Sequence, residues 1–119
     1  MKKISELEFT PISPNDEVIS EEDLNELLQQ LDNWEVVDYG GSNSLYKSFR
    51  VDNFIDAQKL ACVTGDLAEQ FNHHPILSYT WGKLEVYWFT HSMKGVHWND
   101  LLLADNTDKA AVESNLLQK

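Results

Sequence analysis

Cysteine is nearly absent from this sequence: Cys62 is the only one in 119 residues. An intrachain disulfide and a cysteine-based zinc motif are therefore excluded. Set in a helical pattern, Cys62 reads as a small buried hydrophobe. Proline is scarce as well, with three residues. Pro11 and Pro14 forbid a helix in the lead-in, and Pro75 requires the helix before it to have ended. Positive charge is thin: nine basic residues face twenty acidic ones, a formal net charge of −11. That sign repels phosphate backbones and anionic membrane surfaces, so no direct nucleic-acid partner and no membrane partner is expected. No apolar run approaches membrane-spanning length, and none follows Met1-Lys2-Lys3 as a secretory signal would require. The expectation is a cytoplasmic protein.

What is present suits one domain. The apolar fraction of 42% is ordinary for a chain with a real core. A chain this short hides less of its surface than a large one, so self-association would help to cover the rest. Residues 1–19 lack clean periodicity and read as an extended or loosely ordered lead-in to a domain at 20–119.

Ser20 followed by Glu21-Glu22-Asp23 is an N-cap with an acidic first turn. Leu24, Leu27, Leu28 and Leu31 then recur at helical spacing, predicting a helix over about 21–32. Trp34 to Tyr39 and Ser44 to Val51 flank Gly40-Gly41-Ser42-Asn43 and predict a β-hairpin. Asp52-Asn53 can cap a second helix whose inward stripe is Phe54, Ala57, Leu60, Ala61, Thr64, Leu67, Ala68 and Phe71. Leu77 to Trp81 and Lys83 to Phe89 flank Gly82 as a second hairpin. In it Leu84, Val86 and Trp88 share one face, while Tyr87, Phe89 and His91 share the other. A last helix runs from near Trp98 to about Leu117. The order α-β-β-α-β-β-α, with both strand pairs as hairpins, gives a two-layer α+β domain.

The sharpest chemical feature is Asn72-His73-His74-Pro75. Neighbouring residues do not point the same way on a regular helix or strand, but a helix end before proline lifts that limit. His73 and His74 can then reach one pocket with different protonation tendencies, which acid–base chemistry uses. His91 arrives from the end of the fourth strand. Asp100, in the first turn of the last helix, can orient a histidine or hold a substrate N–H. Glu69 stands at i, i+4 to His73, on the same helical face. Each has a plainer reading: Glu69 and His73 as a surface pair, Asp100 as a capping charge, Trp34 as core. Trp81, Trp88 and Trp98 read as packing, and His97 as a surface or capping residue. Three histidines and a carboxylate also suit zinc. Adjacent histidines, however, lack the i, i+4 spacing of common helical sites, so no metal is expected.

Glu69-Gln70-Phe71-Asn72-His73-His74-Pro75, then Thr90-His91, then Gly95 and Asp100, together resemble the signature of the pterin-4a-carbinolamine dehydratases. Trp81-Gly82-Lys83 and Lys94 to Asp100 further resemble bacterial members. The likeness extends from about residue 20 to the C-terminal end. It departs from the family pattern at Asn33, Gln70, Ile76 and Asp105-Asn106, none of which removes a histidine. The resemblance implies a four-stranded antiparallel sheet with three helices on one face. It implies a hydro-lyase that removes water from 4a-hydroxytetrahydropterin to give quinonoid dihydropterin, in recycling of the tetrahydropterin. The pterin is then the substrate, and no separate cofactor is needed. By the same likeness His73 and His91 carry the acid–base roles, His74 helps to hold the hydroxyl, and Asp100, Glu69 and Trp34 support or wall the site. Homodimers or homotetramers are implied too. The alternative on the same fold is a catalytically weak pterin- or protein-binding module, such as a dimerisation or transcriptional cofactor.

Overall fold

The computed structural model describes residues 2–119. Seven main elements follow in the expected order: α1 (Glu21–Leu27), β1 (Glu35–Tyr39), β2 (Ser42–Arg50), α2 (Phe54–Phe71), β3 (Ile76–Thr80), β4 (Lys83–Trp88) and α3 (Trp98–Ser114). The strands form one antiparallel sheet in the order β1-β2-β4-β3. The two hairpins therefore meet through their second strands, with Leu45 opposite Trp88 and Phe49 opposite Leu84.

The period-2 pattern decides which face is covered. Leu45 and Phe49 of β2, with Leu84, Val86 and Trp88 of β4, join Leu60, Ala61 and Ala68 of α2 and Leu101, Leu103 and Ala104 of α3 in one core. The opposite face carries Tyr46 against Tyr87 and Tyr39 against Tyr87, each pair with ring centroids 4.9 Å apart. The Tyr46 hydroxyl donates to Oε2 of Glu85 at 2.6 Å. That bond to a carboxylate, reinforced by desolvation and by the charge of Glu85, pushes the phenol up to about 12. Tyr87 is raised as well, first by burial and then by Glu85 and Tyr39. No described helix is long and apolar enough to cross a membrane.

Several boundaries differ from the sequence reading. The first helix ends at Leu27 and tightens into a 3-10 turn, Leu28–Gln30. The fourth strand stops at Trp88 rather than Phe89, and α3 stops at Ser114 rather than near Leu117. There Asn115 turns left-handed and Leu117 pairs back against Val51. Phe54 is half exposed, because the first residue of α2 overhangs the sheet and leans on Tyr79 instead. Cys62 lies on the outward side of α2 and is exposed, not buried.

The lead-in is extended for much of its length but is tied down. Met1, its first residue, lies outside the described residues. Ile4 opens a short 3-10 turn, Ile4–Glu6, and is buried in the core. Its backbone N–H donates to Oε1 of Gln30, and Nε2 of Gln30 returns a bond to the Lys2 carbonyl. Thr10 and Asn99 exchange two hydrogen bonds, backbone to side-chain amide in both directions. One buried apolar residue and two sets of side-chain bonds thus hold an arm in which periodicity showed no element.

Candidate active site

The C-terminus of α2 separates the two adjacent histidines. Asn72 takes the left-handed conformation, φ 48° and ψ 42°, which asparagine tolerates better than most non-glycine residues. The His73 N–H returns to the Ala68 carbonyl at 3.2 Å, and the Asn72 N–H to that of Glu69 at 3.3 Å. This pair of bonds is a Schellman closure. It rotates His73 back toward the sheet while Pro75 draws His74 outward into the strand direction. His73 is 9% exposed, whereas the His74 ring is half exposed.

His73 has a built environment. Its ring stacks over the Trp88 indole, with centroids 6.0 Å apart and planes within 6°. Phe9 of the lead-in meets it edge-on at 6.1 Å. Trp88 is itself fixed: it is fully buried, and its indole N–H donates to Oγ1 of Thr107 at 3.0 Å. Nε2 of His73 donates to Oδ1 of Asp100 at 2.6 Å. Asp100 is fully buried, and its other oxygen accepts from Oγ1 of Thr90 at 2.8 Å and from the His97 N–H at 2.9 Å. Asp100 therefore combines both readings offered by the sequence. It closes the first turn of α3 as half of a capping box, and it orients a histidine.

His91 opens a 3-10 turn, His91–Met93, just beyond β4. A bridge between Thr90 and Gly95 pins that turn. The ring lies on Phe89 with centroids 4.4 Å apart, on the open side of the sheet as the alternation predicts. Its Nε2 is 3.2 Å from the His74 carbonyl oxygen. A carbonyl only accepts, so Nε2 of His91 carries a proton, and Nδ1 is left for other partners.

Glu69 is a correction. Helical spacing pairs it with His73, but its carboxylate bonds Nε2 of His74, because the turn at Asn72 carries His73 away to the interior. Trp34 is placed elsewhere too. Its indole donates to Oδ2 of Asp108 at 2.9 Å, Oδ1 of Asp108 holds Lys47 at 2.7 Å, and the ring packs edge-on against Phe49. Its bond and ring contacts go to that cluster, none to a histidine. His97, read as surface or capping, caps α3 but is buried.

His73, His74 and His91 share a pattern: Nε2 of each is committed to a protein acceptor, respectively Asp100, Glu69 and the His74 carbonyl. Their Nδ1 atoms have no protein partner among the described residues, and that of His73 is not sealed in the interior. The corner differs from the small pocket expected of the sequence. Two rings stand at the surface beside a third that is largely buried. A cleft of about 600 Å³ lies nearby between the lead-in and the start of α3, walled by His97 and Trp98 and by none of these three histidines. Sequence reasoning missed Thr90 and Phe9. Thr90 stands beside His91 in the quoted motif, but nothing in the spacing says that its hydroxyl faces Asp100.

Comparison with known proteins bears on the family and the fold. The family model described as Pterin 4 alpha carbinolamine dehydratase matches residues 17–110. A Chlorobium luteolum protein named "Putative pterin-4-alpha-carbinolamine dehydratase" is 38% identical over 91 residues, 76% of this chain and 80% of that one. A Nitrosococcus oceani protein of the same name is 32% identical over 109 residues, 92% and 96% of the two chains. Among solved structures, a transcriptional coactivator/pterin dehydratase from Brucella melitensis superposes with TM-score 0.71 at 30% identity, over 79% of this chain and 98% of its own. A pterin dehydratase-like RuBisCO assembly factor of the alpha-carboxysome superposes with TM-score 0.55 at 15% identity, a likeness of fold alone.

Proposed function

This chain belongs to the pterin-4-alpha-carbinolamine dehydratase family, and from that premise we propose that it is a hydro-lyase acting on 4a-hydroxytetrahydropterin. In the reaction the C4a–O bond breaks, the N5 proton is removed, and a C4a=N5 double bond forms. Water leaves and no electrons change hands, so an acid for the hydroxyl and a base for N5 suffice. The pterin is the substrate, and no separate cofactor enters. Imidazoles suit both tasks because their ordinary pKa lies near neutrality.

The observation that carries the proposal is the common state of the three rings. Each is held through Nε2 and has Nδ1 without a protein partner among the described residues. His73 and His91 take the acid–base roles. His73 is backed by the buried Asp100, and His91 is fixed by the His74 carbonyl. His74 and Glu69, both exposed, meet the substrate's polar edge. Quinonoid dihydropterin then goes to a reductase that restores the tetrahydropterin. The protein works in the cytoplasm as a homodimer or homotetramer.

The test is to supply the 4a-carbinolamine and follow its dehydration beside His91→Ala. Loss of one general acid or base lowers the rate by about 10²-fold or more. A wild-type protein no faster than buffer ends the reading. The second reading, a pterin- or protein-binding module with little turnover, is favoured by the aromatic face of Tyr39, Tyr46 and Tyr87. The Brucella relative's name also pairs coactivator with dehydratase. Pterin binding or protein association without dehydration distinguishes it.

A further inference from the structure

We infer that the N-terminal arm is a positioning element for His73, acting through Phe9, an inference that deepens the dehydratase reading above. The family match begins at residue 17, so the arm lies outside the part of the chain that carries the shared motif. It nevertheless supplies one of the two rings that bracket His73: Trp88 stacks on it, and Phe9 closes its edge. Phe9 is wedged at the same time against Phe71, the last residue of α2, with centroids 5.2 Å apart. The ring is thus held at the point where α2 hands over to the histidines.

Beyond Phe9, the arm's side-chain anchors fall around Asp100. Immediately after Phe9, the Thr10 N–H donates to Oδ1 of Asn99 at 3.1 Å, and Nδ2 of Asn99 donates to the Thr10 carbonyl at 2.6 Å. Six residues on, Oδ2 of Asp16 lies 3.3 Å from Nε2 of His97. Nδ1 of His97 accepts the Asn99 N–H at 3.0 Å, so the ring proton is on Nε2, the nitrogen nearest the Asp16 carboxylate. His97 in turn gives its backbone N–H to Asp100. The arm grips the residue before Asp100 and the one three before it, then lays Phe9 across the histidine that Asp100 holds. A hydrogen bond shielded from water is stronger than the same bond in solvent, and a ring fixed on two sides keeps its orientation toward a substrate. Phe9 touches no reacting atom; it acts through His73.

The test uses the full chain and two variants. Proton NMR of the wild type shows a downfield, slowly exchanging resonance from Nε2–H of His73, assigned by its loss in Asp100→Ala. Phe9→Ala removes that resonance by opening it to exchange with water. It also lowers kcat for carbinolamine dehydration by about tenfold, with KM within about twofold, the split expected of a residue that acts through His73. Phe9→Leu, which keeps an apolar cover, retains the resonance and most of kcat. Should Phe9→Ala fail to fold, Phe9→Gln, which keeps the bulk and admits water, replaces it with the same expectation. A resonance and kcat unchanged in the uncovered variant overturn the inference, as does their equal loss in Phe9→Leu. The resonance is read without substrate. An inactive wild type whose resonance still depends on Phe9 therefore refutes the dehydratase reading and leaves the positioning of His73 standing. An active wild type indifferent to Phe9 does the reverse.

Discussion

Removing the Asp100 carboxylate is the most informative single perturbation, because three donors converge on it and it is fully buried. Asp100→Ala leaves the Thr90 hydroxyl, the His97 N–H and Nε2–H of His73 facing a void where bonds of 2.8, 2.9 and 2.6 Å had been. An orphaned buried donor costs about 1–3 kcal/mol. Two of the three have some relief: the Thr90 hydroxyl rotates to a carbonyl, and the His73 ring moves its proton to Nδ1. The His97 N–H has none, since the backbone fixes it at the start of α3. The expected loss is about 3–5 kcal/mol, one donor fully orphaned and two partly relieved. For a domain with total stability of about 5–15 kcal/mol this lowers the thermal midpoint by roughly 10 °C or more. Urea unfolding measures it, with an unchanged m-value showing that the native state is still compact. Asp100→Asn separates architecture from chemistry. Its amide oxygen still accepts the His97 N–H, but its NH2 now faces His73, whose Nε2 must give up its proton to accept. The ring tautomer then inverts, which ring-nitrogen NMR reads directly, and dehydration falls further than stability does. An Asp100→Ala protein within 1 kcal/mol of wild type would refute the view that this carboxylate ties α3 to the histidine corner.

Three smaller predictions follow from other elements. Asn72 holds φ 48°, so Asn72→Gly is nearly neutral in stability, while Asn72→Val costs about 1–2 kcal/mol and lowers activity as His73 and His74 lose their divergence. Asp108→Ala orphans both the Trp34 indole N–H and the Lys47 ammonium, at a cost of about 1–3 kcal/mol in urea unfolding, with little effect on dehydration because that cluster contacts none of the three histidines. Tyr46, with its phenol raised from 10 to about 12, binds its proton more tightly folded than unfolded. Its contribution is therefore complete below about pH 10 and is lost as pH rises toward 12; ultraviolet titration of tyrosinate shows a late component that Tyr46→Phe removes.

Much of the fold was legible because the apolar periods are clean. Leu84, Val86 and Trp88 alternate with charged or phenolic residues, and the observed sheet buries those three. Ser20 starts its helix as expected and, of the Asp52-Asn53 pair, Asn53 starts the next, each accepting from the backbone N–H three residues on. What escaped were features set by one residue's backbone angle or by contacts distant in sequence. Helical spacing assigned Glu69 to His73, and the left-handed Asn72 reassigned it to His74. Trp34 carried no local sign that its indole would seek Asp108, 74 positions away. The lead-in has no periodicity because its order comes from single anchors: Ile4 in the core, Thr10 on Asn99, and Asp16 on His97.

The arrangement gives covalently identical neighbours unlike surroundings. His73 and His74 share a peptide bond, yet one is held between two aromatic rings against a buried carboxylate, and the other stands in solvent beside an exposed one. A buried imidazole–carboxylate hydrogen bond is costly to break from one side and keeps its geometry; an exposed one is screened and contributes little to stability. Replacing Asp100 should therefore disturb folding and function together, whereas replacing Glu69 should leave folding unchanged and alter only how the corner meets its ligand. The third ring reaches them through the main chain, its Nε2–H on the His74 carbonyl. No side-chain substitution at position 74 removes that acceptor. His91 is thus registered against the backbone of the very turn that separates the other two, and a change in that turn moves all three rings at once.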